Sequence, residues 1–238
     1  MFRMEFKRTI RSKIFIYIVA ITLAVFLLGY ILPVGIDKQS SLSYSDYLFS
    51  TYTVMTQFGF LLYSFVISIF FNKDYTNKTI LFYKNFEINY FNFYLFKVIL
   101  LFLEITFSLF VCLGTVSIFY DNYQPFIPNV LLFSAVSFQY IIIISIISFL
   151  FSNVLISLGV SIIYWLTSMI FVSFGSFFKY IALFDASNFL YPQIDRFFKT
   201  GILSLDNIVT ILIFLVSIFL ISFFILFLSR KRWEKLGI

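Results

Sequence analysis

The chain alternates long apolar runs with short polar intervals, and the length of the runs is its first signal. Residues 14–36, 47–72 and 207–229 contain no charged residue, and 98–120 contains one, Glu104. An α-helix rises about 1.5 Å per residue, so roughly 20 apolar residues cross the hydrocarbon core of a bilayer. Each of these runs is long enough. Between Asn122 and Phe178 lie 57 residues without a charge, too many for one crossing, with the polar pair Ser152-Asn153 near their middle. The pattern predicts a helical hairpin there, 130–151 and 155–178, entered through Pro125 and Pro128, which favour a loop ahead of a helix. The result is an all-α, polytopic membrane protein of six spanning helices, forming a single domain over residues 1–238.

A β-barrel would also satisfy every backbone group in lipid, but its strands alternate apolar and polar residues, whereas these runs are apolar on every face. The first run, "IFIYIVAITLAVFLLGYIL", is also longer than the apolar region of a cleaved signal peptide. Composition agrees: 61% of residues are hydrophobic and 12% charged, far from the balance of a soluble domain. The chain has no histidine and a single cysteine, Cys112. Histidine-based metal sites, Ser-His-Asp triads and histidine proton relays are therefore excluded.

The net charge of +6 takes its meaning from placement. With the N-terminus in the cytoplasm, thirteen of the 17 basic residues fall on that side, and Lys38, Lys179, Arg196 and Lys199 on the other. This positive-inside bias places both termini in the cytoplasm, which an even number of spans allows. The basic ends are expected to meet anionic lipid headgroups rather than nucleic acid. At the N-terminus, Phe2, Phe6, Ile10 and Ile14 recur every four residues, while Arg3, Lys7, Arg8 and Arg11 lie away from them. An amphipathic helix lying in the membrane interface is expected before the first span.

The polar stretch "FFNKDYTNKTILFYKNFEINYF" (70–91) breaks the pattern, because it gathers Lys73, Asp74, Lys78, Lys84 and Glu87 between two spans. A loop of some 25 residues, 72–97, exceeds what joining two helices requires. Its Asn and Thr residues suit a helix start, and a short surface helix follows. A cytoplasmic partner is the direct inference, with a solvated loop resting on headgroups as the alternative.

At this point the chain resembles the ABC-2 type permeases, the membrane subunits of ATP-binding-cassette exporters. The basic segment ending "RTIRSKIF" is similar to the family's interfacial elbow helix. "FFNKDYTNKT", with Asp74, Tyr75 and Thr79, is similar to its acidic-aromatic-Thr pattern, and Lys97 follows where the family has a lysine opening the third span. The layout matches too: six spans, both ends inside and a longer external segment before the last helix. The chain departs from the family in having "YKNFEINYF" where a Pro-Ser-Arg-like turn is common. The resemblance implies that Lys73, Asp74, Tyr75, Lys78, Thr79, Lys84 and Glu87 belong to a coupling helix received by a cytoplasmic ATPase. It also implies two ATPase copies, a second permease, identical or homologous, and ATP and magnesium bound on the ATPase. None of the eight glycines is followed by lysine, so this chain has no P-loop, and it needs no cofactor of its own.

Polar residues within spans are candidates for a substrate path. Thr53, Gln57, Ser64 and Ser68 are expected to share one face of the second span; Ser157, Ser161 and Ser168 one face of the fifth; and Ser134, Ser137, Ser145, Ser148 and Ser152 one face of the fourth. Helix packing is the competing role. By resemblance the second and fifth spans wall the cavity, with Gln57 foremost. Glu104 is the one acid within a run, expected to find a partner on another helix or to be protonated. The external segment 179–206 either re-enters the outer leaflet, as the resemblance suggests, or forms a surface loop, broken by Pro192 and Gly201. The expected function is export of a hydrophobic or amphipathic substrate, a peptide by resemblance, across the plasma membrane of a bacterium. A scaffold or sensor recruiting a cytoplasmic partner is the alternative, and a membrane enzyme a weaker one.

Overall fold

A computed structural model describes residues 2–36, 38, 41–77, 79, 83, 89–175, 177–200 and 202–235; the side chains of 2–4, 199–200 and 230–235 lie outside the description. An N-terminal helix, Phe2–Arg11, is followed by six helices long and apolar enough to cross a membrane. The spans run Ile14–Ile36, Tyr44–Thr76, Tyr90–Phe119, Phe126–Leu150, Val154–Phe174 and Leu205–Ser229. Lys13 links the N-terminal helix to the first span in the left-handed conformation (φ 61°), which breaks the helix and turns the chain.

Several boundaries follow from local chemistry. Ser43, Asn89 and Asn153 accept the backbone N–H groups of Asp46, Phe91 and Leu155, capping the second, third and fifth spans. The hairpin at Ser152-Asn153 stands as expected. The fourth helix, however, begins at Phe126, because Pro128 sits in its first turn, where no N–H is needed. Gly175, at φ 68°, closes the fifth span.

The fourth and second spans form the centre, 72% and 67% buried, whereas the fifth and sixth are 17% and 22% buried and lie at the periphery. The fourth packs against the second, third, fifth and sixth; the first packs against the second and third. Polarity is segregated inward. Leu27, Phe107, Ile163 and Leu212 face outward, while Thr22, Ser64, Ser68, Ser137, Ser145 and Ser157 are buried. Lipid is as apolar as leucine, so hydrogen bonds and close packing hold such helices together. The four fully buried tyrosines show how. Tyr63 pairs with Thr22 (2.8 Å), Tyr94 with Ser145 (2.8 Å), Tyr52 donates to the Leu190 carbonyl (3.2 Å), and Tyr140 to that of Met55. Each phenol buries a large ring and satisfies its hydroxyl on another element.

The segment after the fifth span folds as three short helices, Phe178–Ile181, Ala186–Phe189 and Tyr191–Thr200. Ala186, Leu190, Ile194 and Phe197 are buried against the bundle. Asp185 binds the Ser187 N–H and the Ser168 hydroxyl, and Gln139 donates to the Phe184 carbonyl at 2.7 Å. The segment is therefore a packed cap and not a free loop, and the break expected at Pro192 falls earlier, at Leu190, since proline is tolerated at a helix start.

Gly29 of the first span lies against Thr51 of the second, and a Cβ added there would stand 2.6 Å from the Thr51 Cα. Backbone leaves nowhere for it to go. Gly29→Ala should lower the unfolding free energy in detergent by about 1–3 kcal/mol through overpacking. Gly159→Ala, which meets nothing within 4 Å, should leave it unchanged; thermal unfolding of the two variants checks this.

Candidate functional site

The polar stretch after the second span is shorter than its charges suggest. The second span stays helical to Thr76 and the third begins at Tyr90, so the loop expected over 72–97 is corrected at both ends. Lys73 and Asp74 belong to the last turn of one helix and Lys97 to the interior of the next. The physical reason is charge pairing: an acid and a base that neutralise each other need not leave the bundle.

Asp74 is 1% exposed and lies at the centre of that pairing. Arg8 of the N-terminal helix grips it with both guanidinium nitrogens, Nη1 to Oδ1 at 2.5 Å and Nη2 to Oδ2 at 2.9 Å. Lys97, fully buried, binds Oδ2 as well and donates to the Phe70 carbonyl at 2.8 Å. Its ammonium lies 4.3 Å from the centre of the Phe70 ring and 5.1 Å from those of Phe71 and Phe93, in cation–π range. Glu5 completes the group through Arg8 at 3.0 Å, and its carboxylate also accepts from the Tyr83 hydroxyl. Burial opposes the charge on Arg8, but Asp74 and Glu5 outweigh it and hold its pKa above the ordinary arginine value. Burial and the neighbouring Glu5 push the Tyr83 phenol up. The cluster thus joins the N-terminal helix, the end of the second span, the start of the third and Tyr83 of the intervening segment. Arg8, expected among the headgroup-binding residues, is instead an internal ion-pair partner: Glu5, Arg8 and Thr9 of the N-terminal helix turn inward, while Phe6, Lys7, Ile10 and Arg11 are exposed.

The other residues of the expected coupling segment fall differently. The Tyr75 hydroxyl donates to the Phe149 carbonyl at 3.2 Å, Thr79 and Lys73 are half-buried, and Lys78, Lys84 and Glu87 lie outside the described residues. Glu104 meets Thr9 of the N-terminal helix, whose hydroxyl lies 2.5 Å from Oε1.

The expected path residues divide into two sets. Thr53 and Gln57, with Asp46, Phe49 and Tyr191, line an open recess of about 350 Å³ at the end of the bundle opposite the ion cluster. Ser64, Ser157, Ser161 and Ser168 are buried within the bundle instead. Ser157 accepts from Asn72 at 2.9 Å, and Ser68, also expected on the path, meets Ser148 at 3.2 Å. The division has a local cause. Residues Met55–Gly59 form a π-helical turn, so Thr53 and Gln57 are out of register with Ser64 and Ser68. Two carbonyls of the turn accept side-chain donors from other spans, Met55 from Tyr140 and Gln57 from Trp165 Nε1 at 2.6 Å. Neither the turn nor the Arg8 pairing has a local sequence signature.

The model of the peptide export permease protein YydJ family matches residues 2–238. A protein of Bacillus subtilis (strain 168), named as a probable peptide export permease protein YydJ, is 44% identical over 239 residues, 99% of this chain and the whole of that protein. No solved structure gives a significant match.

Removing Lys97 leaves a buried carboxylate short of a cation. Lys97→Met should cost about 3–5 kcal/mol, and adding Asp74→Asn should recover a large part of it. A double-mutant cycle by denaturation in detergent tests this; additive losses would show that the pair is uncoupled.

Proposed function

The chain belongs to the peptide export permease protein YydJ family, and from that premise we propose that it is the membrane subunit of an ABC-2 type exporter. It is a multi-pass protein of the bacterial plasma membrane. In this reading both termini and the ion cluster face the cytoplasm, where a separate ATPase docks on the segment between the second and third spans. ATP and magnesium bind that partner. Two ATPase copies and two permease copies form the working unit, which alternates between inward and outward states to export a hydrophobic or amphipathic peptide.

The observation that carries this reading is the ion cluster. A motor acting on a membrane bundle needs a place where force on a surface segment reaches several helices together. Asp74, Arg8 and Lys97 bind the end of the second span to the start of the third and to the N-terminal helix, and Tyr83 ties the intervening segment to the same group. Closure of the ATPase is thereby passed to the second span, whose far half carries Thr53 and Gln57 into the recess. The packed helices over 178–200 cover that end of the bundle and act as its exit gate.

Asp74 and Tyr75 act within the bundle, so the docking contacts fall to residues further along the segment. Lys78→Glu combined with Lys84→Glu should reduce co-purification of the ATPase about tenfold, the usual scale for removing complementary charge, with membrane insertion unchanged. Undiminished association would remove this segment as the docking site. Gln57→Leu should change the relative export of peptides differing in polarity, read as peptide-stimulated ATP hydrolysis in proteoliposomes. An identical profile would take Gln57 off the path.

A further inference from the structure

A second site lies on the outer side of the third span. A groove of about 560 Å³ runs between Phe6 of the N-terminal helix, Phe15 of the first span and Leu103, Glu104, Thr106 and Phe107 of the third. Its size falls within the range of small-molecule sites, about 300–1,000 Å³. Leu103 and Phe107 are 50% and 59% exposed, so the open side meets the membrane and an occupant must be largely apolar.

Two polar groups interrupt this surface. Glu104 is 3% exposed, and its Oε2 has no hydrogen-bond partner; Thr106 Oγ1 is also buried and unpaired. The Thr9 hydroxyl stands 2.5 Å from Glu104 Oε1 and 2.8 Å from the Phe6 carbonyl, with one proton to give. Either Thr9 donates to Glu104, or Glu104 carries a proton on Oε1 and donates to Thr9. Oε2 of an ionised Glu104, or of one that donates from Oε1, can only accept, and a proton on Oε2 itself would have no acceptor to meet. A buried acceptor left empty is costly in so apolar a setting; the buried cations on the adjoining elements are already engaged, and the exposed Lys7 and Arg11 form no ion pair with Glu104. Arg8 is held by Asp74 and Glu5, and Lys97 by Asp74 and the Phe70 carbonyl. The missing donor therefore comes from outside the chain, attached to an apolar body.

We infer that this groove binds an amine-headed membrane amphiphile, with the ammonium on Oε2 of Glu104, the Thr106 hydroxyl beside it and the alkyl chain along Leu103 and Phe107. The test uses the full chain in liposomes, without ATPase or peptide, so its result is separate from the export reading. A long-chain primary amine carrying a photoactivatable diazirine is compared with the carboxylic acid of equal length and tag at equal membrane concentration. Labelling within residues 100–110 is read by peptide mass spectrometry. The amine should label these residues about tenfold more than the acid, a factor that corresponds to roughly 1.4 kcal/mol. Glu104→Gln should bring the ratio close to one. Leu103→Trp, which fills the groove from its exposed side and leaves the buried polar contacts intact, should lower amine labelling to a similar degree. Equal labelling by amine and acid in the unaltered protein would overturn the inference. So would an unchanged ratio in a Glu104→Gln variant that unfolds at the unaltered temperature.

Discussion

The carboxylate of Asp74 is the constraint around which one end of the molecule is built. A charge held away from water carries a desolvation cost of several kcal/mol, and only close, well-directed partners offset it. Arg8 and Lys97 provide them, and Glu5 balances the remaining positive charge, so that two acids and two bases cancel within one cluster. Because these residues come from three separate helices, satisfying the charge also fixes where those helices begin and end. The N-terminal helix cannot move away without taking from Asp74 one of its two cations.

The same economy of polar groups governs the bundle. Every fully buried tyrosine hydroxyl has a partner on another element, and most of the buried serines belong to the second, fourth and fifth spans. The outward surface offers leucine, isoleucine and phenylalanine, which lipid tolerates. Two ends are therefore made differently. One is fastened by ions; the other is closed by short amphipathic helices anchored through Asp185, Gln139 and Tyr52. One end of this permease is thus held by charge and the other by packing and hydrogen bonds.

Much of this architecture is legible in the sequence because membrane thickness sets the length of a helix. The six spans and the hairpin at Ser152-Asn153 follow from run length, whereas the helix start expected from the Asn and Thr of "NKDYTNKT" is instead the end of the second span, and the third is capped later, by Asn89. The placement of Asp74 does not follow from run length either, since its partner Arg8 is 66 residues away and nothing local marks the pair. Basic residues near a span read naturally as headgroup contacts, which hid Arg8, and charges between spans read as loop, which hid Lys97. A regular 3.6-residue repeat put Ser64 and Ser68 beside Gln57, and the π turn undid that alignment. Glu104 was conspicuous as a lone acid, but the groove beside it requires the N-terminal helix to fold back, which no stretch of sequence announces.

That π turn has a mechanical meaning. One extra residue in a helix rotates everything beyond it by about 100° relative to a regular helix. The second span thus presents two differently aimed faces along a single continuous rod. The half that ends at Thr76 points Asn72 and Asp74 into the bundle, while the half that begins at Tyr44 points Thr53 and Gln57 toward the recess. The two halves meet at Met55–Gly59, where Tyr140 and Trp165 hold the Met55 and Gln57 carbonyls, so the change of aim within this span is fastened from two of its neighbours.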